Sequence, residues 1–285
     1  MSLDPPRAAV AEAVATALAE DLGAEGDLTG ALLDAGIVAT ADVVARESGV
    51  LAGEACARET FAVIDPSLEV RFHLHDGARL SPGALVATVS GSMRSIVAAE
   101  RTALNFLGHL SGVASATRRL VDAVEAVDPD VAVLDTRKTT PGLRALEKAA
   151  VRAGGGTNHR SSLSESVLLK DNHLGVLSIA EAVSRARATW PGTRVEVECD
   201  TDQQVDEALA SGADAVLLDN MSPERVAETV GRIRSTRPDV FIEVSGGIDE
   251  RTAPGFAAAG VDAMSSGALT HSVKVLDLGL DLREG

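Results

Sequence analysis

Seven side chains of this sequence have the types needed to hold and activate a small polyanion. Arg137, Lys138, His159, Arg160 and Lys170 can donate to anionic oxygens, and Glu198 and Asp219 are hard oxygen ligands suited to a divalent cation. They fall in polar stretches: Asp135-Thr136-Arg137-Lys138-Thr139-Thr140-Pro141-Gly142-Leu143-Arg144, then Gly154-Gly155-Gly156-Thr157-Asn158-His159-Arg160, then Lys170-Asp171-Asn172-His173. The whole chain is acidic, with 26 Lys+Arg against 42 Asp+Glu and a net charge of -16. Its only lysines are Lys138, Lys148, Lys170 and Lys274. Cations gathered in an acidic chain make a local sink for negative charge. Nucleic acid is not the expected ligand, because a nucleic-acid binder carries a basic balance. A small molecule with several carboxylates or phosphates is.

Each motif also has a plainer reading. Thr136-Arg137-Lys138 could be a solvated loop, but the Arg fork beside a Lys suits bidentate carboxylate or phosphate binding. Gly154-Gly155-Gly156 would let backbone approach a ligand, since three glycines are costly without a tight geometry to fill. Glu198 and Asp219 could hold Mg²⁺, or form buried salt bridges to Lys138 or Lys170, or do both. Ser245-Gly246-Gly247 and Ser266-Gly267-Ala268 offer backbone N–H groups to a phosphate, although glycine also occurs at such turns for packing. His73 and His75 alternate on one strand and lack a third ligand, so an exposed strand face is expected. His109 and His271 receive no role. Cys56 and Cys199 are too few for a disulfide framework and favour a reducing cytosol; Cys199 is expected as a small buried residue.

The elements that must position these groups follow from periodicity. From Val131 onward short apolar runs end in polar residues and lead into helical stretches: Val131–Leu134, Val167–Leu169, Val195–Val197, Ala215–Leu218, Val240–Val244 and Val261–Met264. The strand-end residues Lys170, Glu198, Asp219, Ser245 and Ser266 recur every 21 to 28 residues, the length of a βα unit. Such alternation predicts a parallel sheet closed or nearly closed as a TIM-like barrel, with chemistry at the C-terminal strand ends. Before it come a helix over 7–21, a turn or cap at Asp27-Leu28-Thr29, strands within 41–90, and a helical passage over 95–127 broken near Ser111-Gly112. Hydrophobic content of 45% with 2% aromatics predicts a core of Ala, Val, Leu and Ile. No apolar run reaches the roughly 18 residues of a membrane span. Met1–Pro6 lacks the features of a signal peptide, and a cytoplasmic location is expected.

Taken together the sequence resembles the quinolinate phosphoribosyltransferase family. The resemblance is carried by Glu20-Asp21-Leu22-Gly23, Gly26-Asp27-Leu28-Thr29, Glu100–Asn105, Leu110–Thr117, the three polar stretches above and Gly267–Ser272. It implies an α/β protein with an N-terminal α/β sandwich at 1–112, joined by the tail 272–285, and an incomplete TIM-like barrel at 113–271. It also implies a homodimer, in some members assembled further into a hexamer, in which Arg101 of one subunit reaches the other's site. Quinolinate would be held by Arg101, Arg137, His159, Arg160 and Lys170. Thr136 would belong to the same binding surface, and Lys138 with Mg²⁺ on Glu198 and Asp219 would engage the ribose and pyrophosphate of phosphoribosyl pyrophosphate. Ser245, Gly246, Gly247, Ser266, Gly267 and Ala268 would hold the 5′-phosphate. Lys138, Lys170, Glu198 and Asp219 would be catalytic. The sequence departs from the family at Ala149, where an aromatic is frequent, and at Ser266, where a small apolar residue is usual. The rivals are a relative of the same fold acting on another anion, a Schiff-base aldolase on Lys138 or Lys170, and a non-catalytic anion binder.

Overall fold

The computed structural model describes residues 3–283; Met1, Ser2, Glu284 and Gly285, the outermost residues of the two expected termini, lie outside it. Twelve strands occur among the described residues. They are β1 (Val38–Ala45), β2 (Gly49–Val50), β3 (Glu69–Phe72), β4 (Arg79–Leu80), β5 (Leu85–Ser92), β6 (Ala132–Leu134), β7 (Val167–Leu169), β8 (Val195–Cys199), β9 (Ala215–Asp219), β10 (Phe241–Ser245), β11 (Ala263–Ser265) and β12 (Leu278–Leu282). The α-helices are α1 (Arg7–Leu22), α2 (Glu54–Ile64), α3 (Met93–Glu125), α4 (Arg144–Ala153), α5 (Asp171–Leu174), α6 (Ile179–Thr189), α7 (Asp202–Ala210), α8 (Pro223–Thr236), α9 (Ala253–Ala257) and α10 (Ala268–His271). The chain forms two compact units, one of Met1–Arg118, Thr139–Gly155 and Leu269–Gly285, the other of Arg119–Lys138 and Gly156–Ala268.

The first unit is an antiparallel sheet covered by helices. Its order is β12-β1-β5-β3, so the C-terminal strand closes onto the first one. Alternate residues Ala41, Val43 and Ala45 of β1 turn inward, as period-2 geometry requires. They meet Phe61 of α2 and Ile96, Ala99, Ala103 and Leu107 of α3 in one core. A second cluster joins α1 through Val10, Val14 and Leu18 to Leu146, Ala150 and Val151 of α4. Asp27 Oδ1 accepts the N–H groups of Thr29 and Gly30 at 3.1 and 2.8 Å, which makes the turn, one of the two expected alternatives.

The expected break at Ser111-Gly112 does not occur: α3 runs unbroken for 33 residues. The small pair answers to packing instead. The Ser111 hydroxyl is buried, accepts the Ala52 N–H at 3.0 Å and donates to the Ala52 carbonyl. A Cβ on Gly112 would stand 2.4 Å from the Lys274 carbonyl oxygen. That neighbour is backbone and cannot swing away. Gly112→Ala is therefore expected to destabilise the protein by about 1–3 kcal/mol despite the better helix propensity of Ala; a midpoint of chemical denaturation equal to wild type would refute the packing account.

The second unit is a six-stranded parallel sheet in the order β6-β11-β10-β9-β8-β7. The first strand of the unit lies beside the last, and the sheet stays open between β6 and β7. That leaves it incomplete against an eight-stranded closed barrel. Thr157 partly fills the seam by bridging to Leu134. Val195, Val197 and Cys199 of β8, Val216 and Leu218 of β9, and Ile242 and Val244 of β10 are buried, and each such side chain contributes roughly 1.5–3 kcal/mol. Ser178, Thr201 and Ser222 cap α6, α7 and α8, each hydroxyl accepting the N–H three residues on. The strands thus end in fixed turns, and the residues just beyond β6–β11 share one end of the sheet.

Candidate active site

A cavity of about 430 Å³ opens at that end of the second unit, lined by residues from every strand end around the sheet. Nine of the expected site residues share it: Thr136, Arg137, Lys138, His159, Arg160, Lys170, Glu198, Asp219 and Ser245. Leu168, Leu217, Glu243 and Ser265 also line it and were not anticipated. Arg101, Gly246, Gly247, Ser266, Gly267 and Ala268 are not among the lining residues. Arg101 belongs to the first unit, exposed on α3.

The cations are held by short, local devices. Thr136 Oγ1 accepts the Lys138 N–H at 3.0 Å and turns the chain just after β6. Asp135 is completely buried; its carboxylate accepts the Asn158 amide at 2.6 Å and the His159 N–H at 2.9 Å. One buried acid thereby ties the loop carrying His159 and Arg160 to the end of β6. Arg160 donates from its guanidinium to the Ser166 carbonyl at 2.8 Å. Burial and the neighbouring charge of Arg137 both work against the Arg160 cation and lower its pKa. Two guanidinium groups that oppose each other's charge are relieved by an anion between them.

Lys170 is ion-paired with Glu198. Glu198 therefore does form a salt bridge to Lys170, although the Lys170 side chain is 43% exposed and the pair is not the buried one expected. Glu198 and Asp219 both have raised pKa values. Burial is the first cause for each; Lys170 opposes it at Glu198, and Asp200 adds to it at Asp219. Two partly desolvated carboxylates on neighbouring strands are still short of positive charge. An all-oxygen, negatively charged pair of this kind fits a hard divalent cation such as Mg²⁺.

His159 is the deepest of the expected donors. Its Nε2 lies 3.4 Å from Glu196 and 3.4 Å from Glu243, acids that are 3% and 1% exposed. Burial alone would depress the His159 pKa, but hydrogen bonds donated to Glu196 and Glu243 outweigh it and raise it to about 9. These three form the one cluster among the described residues with metal-ligand types and spacing.

The glycine loops separate into two kinds. A Cβ on Gly246 would meet the Asn220 side chain at 2.2 Å, and Gly246 has φ +89, so packing against the β9 turn already requires this glycine. Gly247, at φ +64, has nothing within 4 Å. The Ser266 hydroxyl donates to the Ile248 carbonyl at 3.0 Å and its N–H to the Leu134 carbonyl at 3.1 Å, fastening the two loops together. At Gly154, the first of the three glycines, the ligand-approach reading gives way to packing. A Cβ there would stand 2.4 Å from the Ala114 carbonyl and 2.6 Å from Thr117 Cβ, so it admits α3 rather than a ligand.

His73, His75, His109 and the two cysteines have structural surroundings. His73 bonds Thr88 at 2.9 Å, and His75 bonds Glu54 at 2.8 Å, so the pair shares no ligand. His109 Nε2 meets buried Glu147 at 2.8 Å. Cys56 and Cys199 are buried thiols pushed up to about 12, first by burial, as inert core residues are.

Known proteins resemble this chain in sequence and fold over nearly its full length. Residues 27–111 match the sequence model of the quinolinate phosphoribosyl transferase N-terminal domain, and residues 113–281 that of its C-terminal domain. The chain is 42% identical over 280 residues to the nicotinate-nucleotide pyrophosphorylase [carboxylating] of Mycobacterium leprae, covering 96% of this chain and 97% of that protein. It is 40% identical over 265 residues to the probable enzyme of that name from Bacillus subtilis, covering 92% and 90%. The structure of the nicotinate-nucleotide pyrophosphorylase from Francisella tularensis superposes with a TM-score of 0.91 at 38% identity, covering 98% of each chain. Two domain models in tandem, the shared fold and this degree of identity lead to one conclusion: the chain belongs to the quinolinate phosphoribosyl transferase family.

Proposed function

We propose that this chain transfers the phosphoribosyl group of phosphoribosyl pyrophosphate to quinolinate with loss of CO₂, giving nicotinate mononucleotide and pyrophosphate for NAD biosynthesis. The observation that carries the reading is the single cavity in which Arg137, Lys138, Arg160 and Lys170 face the acids Glu198 and Asp219. Both substrates are polyanions, so a site lacking those cations would leave them repelling each other. The relatives' names supply the reaction. The family models meet between residues 111 and 113, which supports a boundary there between 1–112, read together with the tail 272–285, and 113–271.

In this reading Arg137, His159, Arg160 and Lys170 hold the two quinolinate carboxylates, joined by Arg101 from the second subunit of a homodimer. Thr136 fixes the turn that carries Arg137 and Lys138. Lys138 approaches the ribose and pyrophosphate, and the loops Ser245-Gly246-Gly247 and Ser266-Gly267-Ala268 enclose the 5′-phosphate. The ring nitrogen attacks C1 of the ribose as the C1–oxygen bond breaks, and its electron pair leaves with pyrophosphate. The nitrogen is now cationic. The bond to the adjacent carboxylate carbon breaks, CO₂ departs, and the electron pair stays on the ring until a proton from water replaces it. Positioning of the two reactants and fixed cations around the leaving group supply much of the acceleration. Glu198 and Asp219 would hold Mg²⁺, which supplies charge neutralisation of the pyrophosphate.

A Schiff-base aldolase needs a neutral lysine, whereas Lys170 is ion-paired with Glu198. Among the described residues no helix is long and apolar enough to cross a membrane; that, with two unpaired buried cysteines, is compatible with a cytoplasmic enzyme. Purified protein given carboxyl-labelled quinolinate, phosphoribosyl pyrophosphate and Mg²⁺ is expected to release labelled CO₂ and form nicotinate mononucleotide one for one. Binding of both substrates with neither product would sink the assignment.

A further inference from the structure

The proposed chemistry uses His159 but leaves the two acids behind it without a task. Glu196 on β8 and Glu243 on β10 flank β9 and approach the same ring nitrogen, each at 3.4 Å. Both are almost fully buried, and Oε1 of each has no hydrogen-bond partner. Burying two carboxylates around one donor is costly, so the arrangement calls for a return elsewhere.

A metal ion is the first reading that the cluster invites. The other side of the ring argues against it. His159 Nδ1 accepts the Arg160 N–H at 2.8 Å, which requires a lone pair there, so the neutral ring carries its proton on Nε2. An ion among these three residues would need the Nε2 lone pair that this tautomer lacks. In the imidazolium Nδ1 is protonated as well and gives up the Arg160 N–H, but Nε2 still keeps its proton. In either state the two carboxylates grip one N–H.

We propose that Glu196 and Glu243 are positioning residues that clamp the Nε2–H of His159, fixing its tautomer and ring plane so that Nδ1, which accepts the Arg160 N–H, holds Arg160 in place to meet a quinolinate carboxylate. Two acceptors on strands either side of β9 fix the plane of the ring better than one. This rests on the quinolinate reading above.

The test has two arms. In the first, the ring nitrogens of the six histidines are observed by ¹⁵N NMR in protein without substrate, with His159→Gln assigning the signal. Nε2 of His159 is expected to be protonated throughout the neutral range. An unprotonated Nε2, or an Nε2 signal that shifts on titration with Zn²⁺ or Mn²⁺ alone, would overturn the clamp. This arm needs no reaction, so it stands or falls apart from the assignment of function. In the second, Glu196→Gln and Glu243→Gln are expected to raise KM for quinolinate about tenfold, the scale of one lost charged hydrogen bond, while KM for phosphoribosyl pyrophosphate stays within about twofold. Equal rises in both constants, or unchanged constants, would overturn it. Wild-type protein inactive on quinolinate would instead sink the underlying reading and leave the NMR result standing.

Discussion

Equimolar mixing of Arg101→Ala and Lys138→Ala proteins, each inactive alone, is expected to restore about a quarter of wild-type activity. Each substitution removes one cation that meets an anionic substrate, a loss on the order of 3 kcal/mol or a hundredfold in kcat/KM. The rescue follows from where the two residues lie. Lys138 lines the cavity of the second unit, while Arg101 is exposed on α3 in the first unit and is not among the lining residues. If Arg101 serves the site of a partner subunit, a hybrid dimer holds one site with both cations and one with neither. Random reassortment under two-fold symmetry makes half the dimers hybrids, hence about a quarter of the sites intact.

Both residues are exposed, so neither change should disturb folding; such surface substitutions usually stay within about 0.5 kcal/mol. The mixture must be allowed to exchange subunits, by mild denaturant and dilution, before assay. No recovery after verified exchange would mean that Arg101 acts within its own subunit or not at all. Recovery without exchange would point to contamination rather than complementation.

How far the sequence carries is visible in one strand. Val195-Glu196-Val197-Glu198-Cys199 alternates, so Glu196 must share a face with Glu198 one layer deeper. The same step of two separates Leu168 from Lys170, Leu217 from Asp219, Glu243 from Ser245 and Ser265 from Gly267. Every lining residue that went unanticipated therefore lies two positions before an anticipated one. The alternation carries that signal, but in the layer beneath the polar strand ends Leu168 and Leu217 have the sequence character of ordinary core. Period and spacing were enough for the parallel sheet, because strands and helices of βα length leave few alternatives. Glycine was the harder residue to read. Gly112 and Gly154 have the composition of a break and of a ligand loop, yet each admits a neighbouring backbone carbonyl from far along the chain. Local sequence carries no mark of which distant atom will arrive.

The second large effect concerns the acids. Glu198 and Asp219 have pKa values above the ordinary carboxylate range, burial being the first cause of each. A raised carboxylate pKa contributes stability below the unfolded value of about 4, and that stability is lost as pH rises through the folded value. At neutral pH the folded protein therefore carries two ionised groups that their surroundings disfavour, and a bound divalent cation would relieve both. Mg²⁺ with inorganic pyrophosphate at ten times its Kd is worth about 1.4 kcal/mol, about 3–5 °C in Tm for domains of this size. The rise should be full at pH 7.5 and shrink toward pH 4 as the carboxylates take up protons. Asp219→Asn and Glu198→Gln should each abolish most of it and lower kcat on the order of a hundredfold or more. A thermal shift that survives both substitutions, or that is as large at pH 4 as at pH 7.5, would place the cation elsewhere. Loss of kcat with the shift intact would instead assign the acids to holding Lys170, the partner Glu198 already has.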